Sequence, residues 1–119
     1  MATGTSSESA QPAPSPVVIV LTTLPPAADA AAFARRLVEE GLAACVSIGA
    51  EMTSVFRWND AIEHTCERQL VLKTVRDKVA AIEARMAALH PYEVPEFLVF
   101  EADDGSDAYV AWVRQCTRT

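Results

Sequence analysis

Ser54-Val55-Phe56-Arg57-Trp58-Asn59-Asp60-Ala61-Ile62-Glu63-His64-Thr65-Cys66, SVFRWNDAIEHTC, carries the pair on which the fold turns, Asn59-Asp60. Asn and Asp accept the positive φ angles of a tight hairpin more readily than other non-glycine residues. On either side the chain alternates. Val55, Phe56, Arg57 and Trp58 precede the turn, and Ile62, His64, Cys66, Arg68, Leu70 and Leu72 follow it, set against Glu63, Thr65, Glu67 and Gln69. This predicts two extended segments, over about residues 44–58 and 62–74. Each is more than twice the usual strand of about 5–6 residues.

Outward from this ribbon the chain is regular. Val17 to Leu21, VVIVL, is an unbroken run of mainly β-branched residues and predicts a strand inside a sheet. From Ala27 to Glu40, Ala30, Phe33, Ala34, Leu37 and Val38 fall at helical spacing, and Gly41 supplies a C-terminal cap. Thr74 with Asp77 has the form of a capping box ahead of a second helix carrying Val75, Val79, Ile82, Met86 and Leu89. Pro91 forces His90 out of helical geometry, so HPYEVPE (His90 to Glu96) ends that helix and leads into a strand over 94–101. Asp103-Asp104-Gly105 turns the chain, and Ser106 caps a last helix carrying Tyr109, Trp112, Val113 and Cys116.

The order β-α-β-β-α-β-α begins as the ferredoxin-like split βαβ arrangement, an α+β fold. Right-handed crossovers put both crossover helices on one face of an antiparallel sheet. The other face and the far end of the ribbon, with Val55, Phe56 and Trp58, are then left to water, which predicts an obligate homo-oligomer.

With 119 residues, half of them apolar, one domain over 16–119 is expected, preceded by a polar, Pro- and Ser-containing tail over 1–15 that predicts disorder. The opening has neither a basic region nor an apolar stretch before Val17, and no later apolar run reaches the roughly 20 residues that span a bilayer. No membrane association is expected. A net charge of −6 argues against nucleic acid, which needs clustered Lys and Arg. Cys45, Cys66 and Cys116 are too far apart for a CxxC pair, and their odd number fits reduced thiols in a cytoplasmic protein. No Ser-His-Asp set, HExxH or Arg-rich phosphate cradle is present, so no enzyme is expected.

Leu42-Ala43-Ala44-Cys45-Val46, Ser54 to Trp58, Leu72-Lys73-Thr74 and His90 to Glu96, taken in order over Val17 to Arg114, resemble the successive signatures of the CutA family of divalent-cation tolerance proteins. The resemblance implies a homotrimer, similar in shape to PII signalling proteins, with clefts between subunits and a role in tolerance to copper or another divalent cation. Bacterial members are implicated in metal binding through a cysteine after the first strand, the histidine of HPY and the glutamate of PE. The last two correspond to His90 and Glu96, whereas Thr22 stands where the cysteine would be. Cys45 is then the first candidate for a further donor. Imidazole plus carboxylate suits a borderline divalent ion such as Cu(II), while thiolate favours Cu(I) or Zn(II). Tyr92, Glu93, Trp58 and Lys73 are expected at the cleft or interface. The family's Trp-x-Gly-Lys turn is replaced by Trp58-Asn59-Asp60-Ala61, without the glycine and lysine.

Three other readings stay open. His64 and Cys66, at i and i+2, can share a ligand or simply lie at an interface. Lys73 and Arg76 near the second helix start can hold an anion, as a PII-like module binding a small metabolite would require. A purely structural trimer needs neither.

Overall fold

A computed structural model of the chain describes residues 14–118. The tail expected over 1–15 lies, except for its last two residues, outside the described residues. Four strands, β1 (Val17–Leu24), β2 (Cys45–Trp58), β3 (Ala61–Val75) and β4 (Phe97–Glu101), join three helices, α1 (Ala30–Glu39), α2 (Val79–Leu89) and α3 (Asp107–Cys116). The sheet order is β2-β3-β1-β4, and each neighbouring pair is antiparallel. This is the split βαβ topology, with β3 between β1 and β2.

Local chemistry fixes the joints. Asn59 and Asp60 have φ of 50° and 65°, so the two-residue turn sets Trp58 opposite Ala61. The first helix begins at Ala30 rather than Ala27, because the Asp29 side chain accepts the Ala32 amide at 3.0 Å. Gly41, at φ 72°, closes it: the amides of Gly41 and Leu42 donate to the carbonyls of Val38 and Leu37. In α3 the Ser106 hydroxyl accepts the Tyr109 amide at 3.2 Å, as its position predicts.

The expected capping box does not form. Thr74 is buried in β3, and its hydroxyl donates to the Leu42 carbonyl at 2.6 Å. β3 therefore runs on to Val75, a 3₁₀ turn over Arg76–Lys78 follows, and α2 starts only at Val79. The Asp77 amide is satisfied instead by the hydroxyl of Ser15, at 3.0 Å.

Val18, Val20, Leu70 and Leu72 face α1 and α2, where Leu37, Ile82 and Met86 close the main core. Successive strand residues point to opposite faces. Ile19, Leu21, Val71, Leu98 and Phe100 therefore lie together on the other face, with Leu98 paired to Leu21 and Phe100 to Ile19. Leu98 is 53% exposed and Phe100 50%. The C-terminal helix makes a separate small cluster, Val113 with Val17, Ala44 and Val75.

A bulge between Ile48 and Glu51 shifts the register of β2 on β3. It sits where the Gly49 backbone passes so close to Gln69 that a Cβ would lie 3.2 Å from that residue's carbonyl oxygen. Beyond the bulge the ribbon leaves the helices behind, and Val55, Phe56, Trp58 and Ile62 are exposed. The radius of gyration is 17.5 Å with a longest extent of 62 Å. A compact chain of this size would have about 13 Å. The excess is the arm. No helix among the described residues is long and apolar enough to cross a membrane.

Candidate functional site

A groove of about 760 Å³ lies where the arm leaves the sheet. Its floor is the face of the ribbon that carries Glu63, Thr65 and Glu67 on β3 with Ser54, Phe56 and Trp58 beside them on β2, Phe56 opposite Glu63 and Ser54 opposite Thr65. Its wall is the segment Tyr92 to Glu96, which the sequence suggests should be partly strand. β4 begins only at Phe97, and Val94, Pro95 and Glu96 remain loop along the groove. Pro95 has no N–H to give a sheet ladder, in keeping with that.

His90 holds the wall in place. It caps α2 in an extended conformation, is 9% exposed, and makes hydrogen bonds with both ring nitrogens. Nδ1 accepts the Tyr92 amide at 3.3 Å, which leaves the proton on Nε2 to be donated to the Thr23 carbonyl at 2.7 Å. The Tyr92 ring rests on the imidazole, centroids 4.3 Å apart. In this chain the imidazole ties the loop to β1.

Glu96 is anchored twice. Its carbonyl accepts the buried Thr22 hydroxyl at 2.7 Å, and its carboxylate accepts Gln69 Nε2 at 3.3 Å. Glu93 and Glu96 on the wall therefore face Glu63 and Glu67 on the floor, and no Lys or Arg lines the groove. Glu67 went unnoticed as a site residue in the sequence. Its place in an alternating strand with Gln69 gives it the pattern of an ordinary surface residue.

The sequence of CutA1 divalent ion tolerance proteins matches the chain over residues 18–116. The chain belongs to that family. Among CutA relatives, the divalent-cation tolerance protein of Thermus thermophilus is 38% identical over 99 residues, covering 83% of this chain and 96% of that one. Human CutA is 35% identical over 106 residues, 89% of this chain, and the match spans 59% of the human protein's length. Crystal structures of CutA1 from Shewanella sp. SIB1 and CutA from Xylella fastidiosa superpose with TM-scores of 0.82 and 0.80, at 33% and 37% identity. They cover 90% and 87% of this chain and 100% and 99% of their own.

Within one copy of this CutA chain the expected ligands do not converge. Cys45 pairs with Lys73, four residues along β3 from the Gln69 that meets Glu96, a separation of roughly 13 Å. Among the described residues no three His, Cys, Asp or Glu side chains are placed to hold one metal ion. His64 lines the groove, but Cys66 is exposed with its sulfur 4.0 Å from Glu51. The anion reading of Lys73 and Arg76 finds little support: Arg76 pairs with Glu101 at 3.2 Å, and the nearby Asp77 amide is taken by Ser15. Trp58 and Trp112 are partly exposed, so neither is a core residue of the single chain.

Proposed function

We propose that the chain is a non-catalytic, cytoplasmic homotrimer that binds a divalent cation, copper foremost, in clefts between protomers and thereby contributes to cation tolerance. One observation carries this reading: the groove brings carboxylates together without a complete ligand set, next to surfaces that one chain leaves bare. Stable transition-metal sites present three or four protein ligands. A second copy docked on the arm and sheet face would supply the missing donors and cover Leu98, Phe100 and Phe56. Glu96 is the first ligand. His90 can join it only by giving up the Tyr92 amide or the Thr23 carbonyl, and Cys45 only from another copy. Three unpaired cysteines are compatible with a reducing compartment.

Titrating Cu(II) calorimetrically into wild type and Glu96→Gln tests the site. Weaker binding by the variant, with its assembly intact, supports it. Equal affinity removes Glu96 from the site. The PII-like metabolite reading rests on Lys73 and Arg76, of which Arg76 is engaged by Glu101, and no Lys or Arg lines the groove.

A further inference from the structure

The last residue of β3, the 3₁₀ turn that follows it and the C-terminal end of α3 enclose a second, smaller pocket of about 300 Å³. It lies eight residues further along β3 than Glu67, roughly 26 Å from the acidic groove, at the end of the sheet away from the arm. Its charge is the opposite one. Lys78, Arg114 and Arg118 line it, and among the described lining residues Asp77 is the single acid. Three cations against one carboxylate leave this lining positive in a chain whose net charge is −6.

The two guanidinium groups here differ from most others in the chain. Arg35, Arg36, Arg68, Arg76 and Arg85 each pair with a glutamate. Among the described residues Arg114 and Arg118 have no carboxylate partner. Arg114 donates to the Ser15 carbonyl, from Nε at 3.4 Å and from a terminal nitrogen at 3.3 Å, a neutral acceptor that leaves its charge uncompensated. Ser15 brings a hydroxyl to the same place. Its oxygen accepts the Asp77 amide at 3.0 Å, which leaves the hydroxyl proton to be donated into the pocket.

One exposed guanidinium is well solvated and makes no site. Two of them with an ammonium and a hydroxyl on one pocket suit an acceptor that has several oxygens and more than one negative charge. A carboxylate, with two oxygens and one charge, leaves donors unused, whereas phosphate matches the forked geometry of arginine and the excess of cations together. We propose that this pocket binds a dianionic phosphate group, free or on a small alkyl ester, with Arg114 and Arg118 pairing its oxygens, Lys78 adding charge and Ser15 donating a hydrogen bond. The volume is at the low end of the roughly 300–1,000 Å³ usual for small-molecule sites, which admits a phosphate and a short substituent. Lys73 and Arg76, the anion candidates of the sequence, are not in this lining. The site is independent of the cation cleft and of the surfaces that other copies would cover.

The test is a chemical-shift titration of isotope-labelled, tag-free full-length protein with glycerol 3-phosphate at low salt, with inorganic phosphate in a parallel arm and propionate as the single-charge control. Saturable shifts of the Asp77 amide and the Arg114 Nε–H are expected, with a Kd of about 1 mM or tighter that weakens as salt rises. Propionate should bind far more weakly. Equal affinity for the two phosphates supports recognition of the phosphate group alone, and tighter binding of the ester supports recognition of its substituent as well. Arg118→Gln and Lys78→Gln should each raise the Kd about threefold and together about tenfold, as the loss of partly exposed charge pairs implies. Absence of saturable shifts at these residues by about 10 mM of either phosphate overturns the proposal. So does propionate binding as tightly as phosphate, or wild-type affinity in folded Arg118→Gln and Lys78→Gln. Arg118 is exposed and lies beyond the end of α3, so Arg118→Gln alone decides the matter should Lys78→Gln not fold.

Discussion

Replacing His90 with alanine in metal-free protein should destabilise the fold, because the ring works structurally before any metal arrives. The stronger bond, Nε2–H to the Thr23 carbonyl at 2.7 Å, joins two buried residues. Losing it forfeits about 1 kcal/mol and leaves a buried carbonyl unpaired, for about 1–2 kcal/mol more. The Tyr92 amide bond, at 3.3 Å, is longer and adds little, while the space left by the imidazole beneath the Tyr92 ring adds about 1 kcal/mol. The total is roughly 3–4 kcal/mol. Urea unfolding followed by far-UV circular dichroism, with chelator present and protein concentration fixed, reads it as a lower midpoint at unchanged slope. A loss under about 0.5 kcal/mol, or one seen only with metal bound, would refute the structural role of the ring.

Thr22→Cys should lose the buried bond to the Glu96 carbonyl, costing about 1 kcal/mol in urea unfolding, while chelator competition shows tighter Cu(I) binding through the softer ligand. Phe100→Asp, which puts a charge on the bare sheet face at its edge strand, should yield folded chains of monomer mass by light scattering with near-native circular dichroism. Gly41→Val forces a β-branched residue to φ 72° and should cost roughly 1–2 kcal/mol in thermal or urea unfolding.

The fold was legible because its deciding features are local. Asn59-Asp60 adopts the positive φ its side chains tolerate, and the alternation through Leu70 and Leu72 selects the face that meets α1 and α2. Gly41, Ser106 and Pro91 end or begin helices where backbone chemistry requires it. What failed was also local in appearance. Thr74 and Asp77 have capping-box spacing, but a hydroxyl in reach of a half-buried carbonyl across the fold is drawn there instead, and Ser15, far away in sequence, takes its place. The site was only half legible. HPYEVPE marks the groove wall, yet the ring bonds of His90 depend on Thr23, and the place of Glu67 in the groove depends on a loop distant in sequence. Neither is encoded in the spacing of nearby residues. Cys45 shows the converse, since a thiol placed by family position lies near the opposite end of the sheet from Glu96.

Mass in solution bears most directly on the claim that bare sheet face and arm are buried by other copies of the chain. Multi-angle light scattering of tag-free protein at low micromolar concentration should give about 38 kDa, three times the 12.8 kDa chain. A folded species of 12.8 kDa would contradict it.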